Sequence, residues 1–134
     1  MGAMTIRFML LGTMPAYGII VVFHGHGVMP LAMGVPIVLS HVEEADWVLL
    51  WPSLVGTLGG VQALSTLVFP CKSVWFRAAC VTALASLGAS ACGFVLASVY
   101  SWFSLVTAVP FFALWVSALA VFVWVDLRAK RERP

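Results

Sequence analysis

Between Arg77 and Asp126 the chain carries no Asp, Glu, Lys, Arg or His. Neither does the stretch between Asp46 and Lys72. A spanning helix needs about 20 consecutive apolar residues to cross the hydrocarbon of a bilayer. Uncharged runs of this length therefore fit lipid and cannot be the surface of a water-soluble domain. The rest of the composition agrees: of 134 residues only 9% are charged and 63% are apolar, whereas a soluble domain carries about 25% charged residues. The expected fold is all-α, a single integral membrane domain over residues 1–134.

Four spans are expected, over about 8–23, 47–69, 75–99 and 104–125. The first follows Arg7 and is read as uncleaved, because no small-x-small cleavage site follows it. After it come His24-Gly-His-Gly27 and a short apolar piece, Val28 to Leu39, containing Pro30, Gly34 and Pro36. That piece is too short to cross, and its prolines interrupt helical hydrogen bonding. It is expected to lie in the interface or to re-enter the membrane. Pro70-Cys-Lys-Ser73 reads as a tight turn, and 126–134 as a solvated basic tail.

Cytoplasmic ends of membrane helices collect Lys and Arg. With four spans, Arg7, Lys72, Arg77, Arg128, Lys130, Arg131 and Arg133, which are all seven basic residues, fall on one side. Glu43, Glu44 and Asp46 fall on the other. An odd number of spans would separate the two termini and destroy this sorting, so both termini are expected to be cytoplasmic, in a bacterial-type inner membrane. Trp and Tyr prefer the headgroup level: Trp47, Tyr100 and Trp102 mark the outer edge, Trp75 and Trp124 the inner one, and Trp115 alone sits mid-span. The tail cations contribute about 1 kcal/mol each beside an anionic leaflet, enough to set orientation without a protein partner. A net charge of +2 with scattered cations does not point to nucleic acid.

No span places an ionisable group at its middle, where proton-coupled transporters keep theirs. The sequence has no GxSxG elbow, Walker motif or GxGxxG, and no enzymatic activity is expected. The three cysteines, Cys71, Cys80 and Cys92, have no CxxC spacing, and the two inside an apolar stretch read as small packing residues. The polar and small residues of the second and third spans are the first candidate site. Gly56-xxx-Gly60 with Thr57 and Gln62, and Thr82, Ser86, Ser90 and Gly93, suit close helix packing. Copies surrounding a hydroxyl-lined conduit are the alternative. An unsatisfied amide in hydrocarbon would cost several kcal/mol, so Gln62 is expected to face a partner or water.

The second candidate site is the outer cluster His24, His26, His41 and Glu43, with Glu44 and Asp46 nearby. In extended backbone, residues two apart point the same way, so His24 and His26 could ligate one transition metal or a haem, with His41 or a carboxylate completing the shell. Met29 and Met33 could add soft ligands.

Three functions follow as expectations. The leading one is a small non-enzymatic protein working by helix association, with itself or as an accessory subunit of a membrane complex. The second is a small transport or pore-forming protein; the short turns and the charged tail from Asp126 to Arg133 are similar in outline to phage holins. The third is a metal or haem carrier.

Overall fold

In the computed structural model, residues 2–24, 27–43, 46–98 and 101–132 are described. The chain forms α1 (Gly2–Gly18), β1 (Val21–His24), β2 (Gly27–Pro30), α2 (Leu31–Ser40), α3 (Trp47–Ser65), α4 (Val74–Ala97) and α5 (Ser101–Arg131). It is a helical protein with one small hairpin. Among the described residues, three helices are long and apolar enough to cross a membrane: Trp47–Ser65, Val74–Ala97 and the stretch Trp102–Arg131 of α5.

Helix α4 lies at the centre, and its composition explains why. Ala79, Cys80, Ala83, Gly88, Ala91 and Gly93 are all buried on it, and small side chains let neighbouring backbones approach closely. Ser73 caps it, its hydroxyl accepting the Trp75 N–H at 3.1 Å. Two apolar clusters pack around α4. One gathers Ile20, Val22, Leu31, Leu87, Phe94 and Phe111 beneath the hairpin, and the other joins Ile6, Leu10, Ala63, Phe76, Leu84 and Ala118. Trp115 packs against both.

Helices α1, α3, α4 and α5 alternate in direction. At one end, Ile6, Lys72, Phe76 and Ala129 line a common cavity, so the starts of α1 and α4 meet the close of α5. At the other, Tyr17 reaches Ser90 and Val21 reaches Ser104. The start of α1 and the close of α5 therefore lie at the same end of the bundle. Trp75 and Trp124 are exposed near that end, Trp47 and Trp102 near the other, while Tyr100 lies outside the described residues.

The expected first span, 8–23, is not one helix. Helix α1 stops at Gly18, and residues 21–24 are a strand. Pro15 removes one helical donor within α1, and the β-branched pair Val21-Val22 suits a strand. Seventeen residues of helix cover about 26 Å, less than the roughly 30 Å hydrocarbon thickness. The expected re-entrant piece, 28–39, divides between β2 and α2.

Strands β1 and β2 pair antiparallel, Val21 with Pro30 through His24 with Gly27. The Leu31 N–H donates to the Ile20 carbonyl at 2.9 Å. Antiparallel pairs alternate between bonded and non-bonded, so the next pair, Val21 with Pro30, turns the polar groups of Val21 away from β2. They meet α5: the Val21 N–H donates to Thr107 Oγ1 at 3.0 Å, and Ser104 Oγ donates to the Val21 carbonyl at 2.6 Å. Two hydroxyls on a helix thus stand where a third strand would be. Helix α5 covers the outer edge of β1.

The tail expected to be solvated is helical through Arg131. Asp126, its first residue, is only 18% exposed at the side chain and pairs with Arg77 of α4 and, at 3.0 Å, with Lys130. The i,i+4 pairs Asp126–Lys130 and Arg128–Glu132 support a helix that runs on past Val125.

Candidate functional site

Of the residues singled out from sequence, the seam between α3 and α4 holds Gly56, Ser90 and Gly93. Along α3 the buried positions are Pro52, Ser53, Gly56, Gly59 and Ala63, a spacing of three and four that draws one stripe down a helix. The missing Cβ matters at two of them. A Cβ on Gly59 would stand 2.8 Å from Leu87 Cγ and 3.0 Å from the Leu87 backbone nitrogen. One on Gly56 would stand 2.7 Å from Ser90 Oγ and closer still to the Tyr17 hydroxyl. Gly60, the expected second half of the motif, is only half-buried, with Met14 Cε at 3.7 Å as its nearest neighbour. The contact is Gly56-xx-Gly59, not Gly56-xxx-Gly60.

On α4, Gly93 faces Trp51 and Pro52, and Gly88 faces the ring of Trp115. The Trp115 indole N–H donates to the Leu84 carbonyl at 2.7 Å. The aromatic out of place in the sequence is thus a strut between α5 and α4, with its one polar atom satisfied as a buried indole requires.

Of the hydroxyl stripe, Ser86 and Ser90 are buried and Thr82 is exposed. Four residues turn a helix by about 400°, so a stripe drifts by about 40° per step, and two steps carry it from the outer face into the seam. Ser90 is the polar centre of the seam. Its hydroxyl donates to the Pro52 carbonyl at 2.6 Å and accepts from the Tyr17 hydroxyl at 2.6 Å, linking α1, α3 and α4. Thr82 and Thr57 are exposed and bond back to the carbonyls of Ala78 and Ser53 on their own helices. Gln62, expected to face a partner or water, is half-buried; Ser65 of its own helix donates to its backbone carbonyl at 2.7 Å and lies 3.4 Å from its side-chain oxygen.

The basic end is the second constellation. Arg7 donates to the Phe69 carbonyl, and its guanidinium lies 5.1 Å from the centre of the Phe76 ring. Arg77 and Lys130 hold Asp126 between them. Arg128 pairs with Glu132 at 3.2 Å and lies over Trp124 at 5.4 Å. A cavity of about 320 Å³ opens among Ile6, Lys72, Phe76, Arg77, Phe122 and Asp126. The network by which Asp126 draws in two of these cations is not apparent from the charge pattern, because Arg77 lies on the preceding helix.

Of the outer cluster, His24 closes the hairpin opposite Gly27, so a strand ends where an extended run was expected to continue; His26 and Glu44 lie outside the described residues. His41 follows α2, its Nδ1 at 2.9 Å from the Ser40 hydroxyl, and Glu43 is exposed in the turn beyond. Among the described residues no three His, Cys, Asp or Glu side chains converge on a common point. Compared with family models, curated proteins and solved structures, the chain matches none.

Proposed function

We propose that the chain is a non-enzymatic membrane protein of four antiparallel spans, three made by α3, α4 and α5 and one by α1 together with the hairpin that extends it, with both termini on the cytoplasmic face of a bacterial-type inner membrane, and that it works by helix association. The inner small residues of α4 are consumed by its own neighbours. The observation that carries the reading is on the opposite side: Ala78, Thr82, Ala85, Ala89 and Cys92 are exposed at spacings of three and four. Small residues in that pattern let a further helix approach closely in lipid. The partner favoured is a second copy of α4, since one face then meets itself in a two-fold contact.

Cys92 is the exposed one of the three thiols; Cys80 is buried and Cys71 half-buried. Mild oxidation of membranes carrying the full chain is expected to give a covalent dimer that disappears in Cys92→Ser. Ala89→Leu, which places bulk on the same face, is expected to reduce it at least about fivefold. Monomer alone at all oxidant concentrations would contradict self-association. A covalent product of another mass would identify an accessory subunit instead. The hydroxyl-lined conduit gains less support, because Ser90 is tied into the seam and Thr82 is bonded to its own helix.

A further inference from the structure

At the basic end, two cavities share Arg77, Phe122 and Asp126. The first, of about 320 Å³, has apolar walls at Ile6, Phe76 and Val125 and cations at Lys72 and Arg77. The second, of about 580 Å³, continues along the outside of α4 past Val74, Ala78, Val81 and Thr82. Val74 and Val81 are exposed there. A cationic recess thus runs directly into an apolar groove on the lipid-facing surface. That sequence of chemistries matches one molecule class, a charged headgroup with a hydrocarbon tail.

We propose that this paired cavity binds an anionic phospholipid, its phosphate against Lys72 and Arg77 and one acyl chain along the α4 groove. The charge balance supports an anion. Asp126 is already bridged by Arg77 and Lys130, and Lys72 makes no ion pair among the described residues. Arg77 keeps donors in excess of those one carboxylate can take, because a guanidinium carries five. Basic recesses between helices at the cytoplasmic side are suited to phosphate headgroups, and charge-assisted bonds to phosphate are the strong ones. The tail cations Arg128 and Arg131 line a separate surface depression with Trp124 and Leu127. They attract an anionic leaflet as a whole and do not face the recess. The inference needs the chain to be in a membrane; its groove shares Ala78 and Thr82 with the face of α4 proposed for association, while the headgroup recess at Lys72 lies off that face.

The full chain in detergent, titrated with phosphatidylglycerol and read by native mass spectrometry, is expected to retain one lipid. Phosphatidylcholine should bind at least about tenfold more weakly. Lys72→Gln is expected to weaken phosphatidylglycerol about tenfold, the equivalent of one charge-assisted hydrogen bond. Arg131→Gln removes the same charge outside the recess and should change binding less than twofold. Thr82→Trp, which fills the groove, should weaken both lipids. Equal losses from Lys72→Gln and Arg131→Gln, or equal retention of the two lipids, would overturn the proposal. Inorganic phosphate displacing the lipid at equal concentration would also overturn it, as the site would then take a soluble anion. Cys92 cross-linking in the Lys72→Gln variant separates this result from the association reading, which predicts unchanged dimer.

Discussion

Gly59→Leu is expected to destabilise the bundle by at least about 3 kcal/mol, whereas Gly60→Leu is expected to cost less than about 1 kcal/mol. The two glycines are adjacent on α3, and both substitutions add the same side chain and the same gain in helix propensity. Only the surroundings differ. At Gly59 even a Cβ would meet the Leu87 backbone nitrogen at 3.0 Å, and backbone cannot rotate away as a side-chain tip can. The added bulk must push α3 from α4 and unpack Leu87 from the cluster beneath the hairpin. At Gly60 the nearest neighbour is the mobile end of Met14 at 3.7 Å. Loss of helicity on titration with dodecyl sulfate in mixed micelles measures the difference. Equal destabilisation, or the larger effect at Gly60, would restore the motif expected from sequence and contradict the observed helix register.

The second large effect concerns the hairpin. Ser104→Ala combined with Thr107→Val is expected to lower the exchange protection of the Val21 amide by about a hundredfold or more. Both hydroxyls are replaced by groups of similar size, so packing is kept while the Val21 N–H and carbonyl lose their partners on α5. A buried backbone group without a partner costs about 1–3 kcal/mol, and more where no water can reach it. Pro30, opposite Val21, has no N–H to offer in compensation. Hydrogen exchange followed by mass spectrometry on peptides covering β1 reads the outcome. Unchanged protection would mean that the strand edge is satisfied elsewhere.

What was legible in the sequence follows from where charges and long apolar runs lie. Uncharged stretches bounded by Asp46, Lys72, Arg77 and Asp126 mark α3, α4 and α5 to within a few residues at most ends, because charge is costly in hydrocarbon whatever the tertiary arrangement. The hairpin was not legible. Val21-Val-Phe reads as more of an apolar helix until Ser104 and Thr107, more than 80 residues away, are seen to complete its edge. The register of the seam was half legible. Small residues announced a close contact, but whether Gly59 or Gly60 faces it is decided by Leu87 on the opposing helix. Thr82, Ser86 and Ser90 were seen as one stripe, and the drift of a straight helix placed them on different sides of it. Asp126 looked like the start of a solvated tail because its partner Arg77 sits one helix earlier in the chain. Trp115 stood out as misplaced, yet only the Leu84 carbonyl explains it.

The most direct measurement is the sidedness of the two chain ends. In a chain whose three native cysteines are replaced by serine or alanine, Gly2→Cys, Pro134→Cys and Glu43→Cys are introduced one at a time. Each is exposed to a membrane-impermeant maleimide in intact cells and after lysis. Four alternating helices with their cations gathered at one end predict that Glu43→Cys is labelled in intact cells, and that both terminal cysteines react only after lysis. Labelling of one terminal cysteine in intact cells with the other protected would place the ends in opposite compartments and contradict the four-span account.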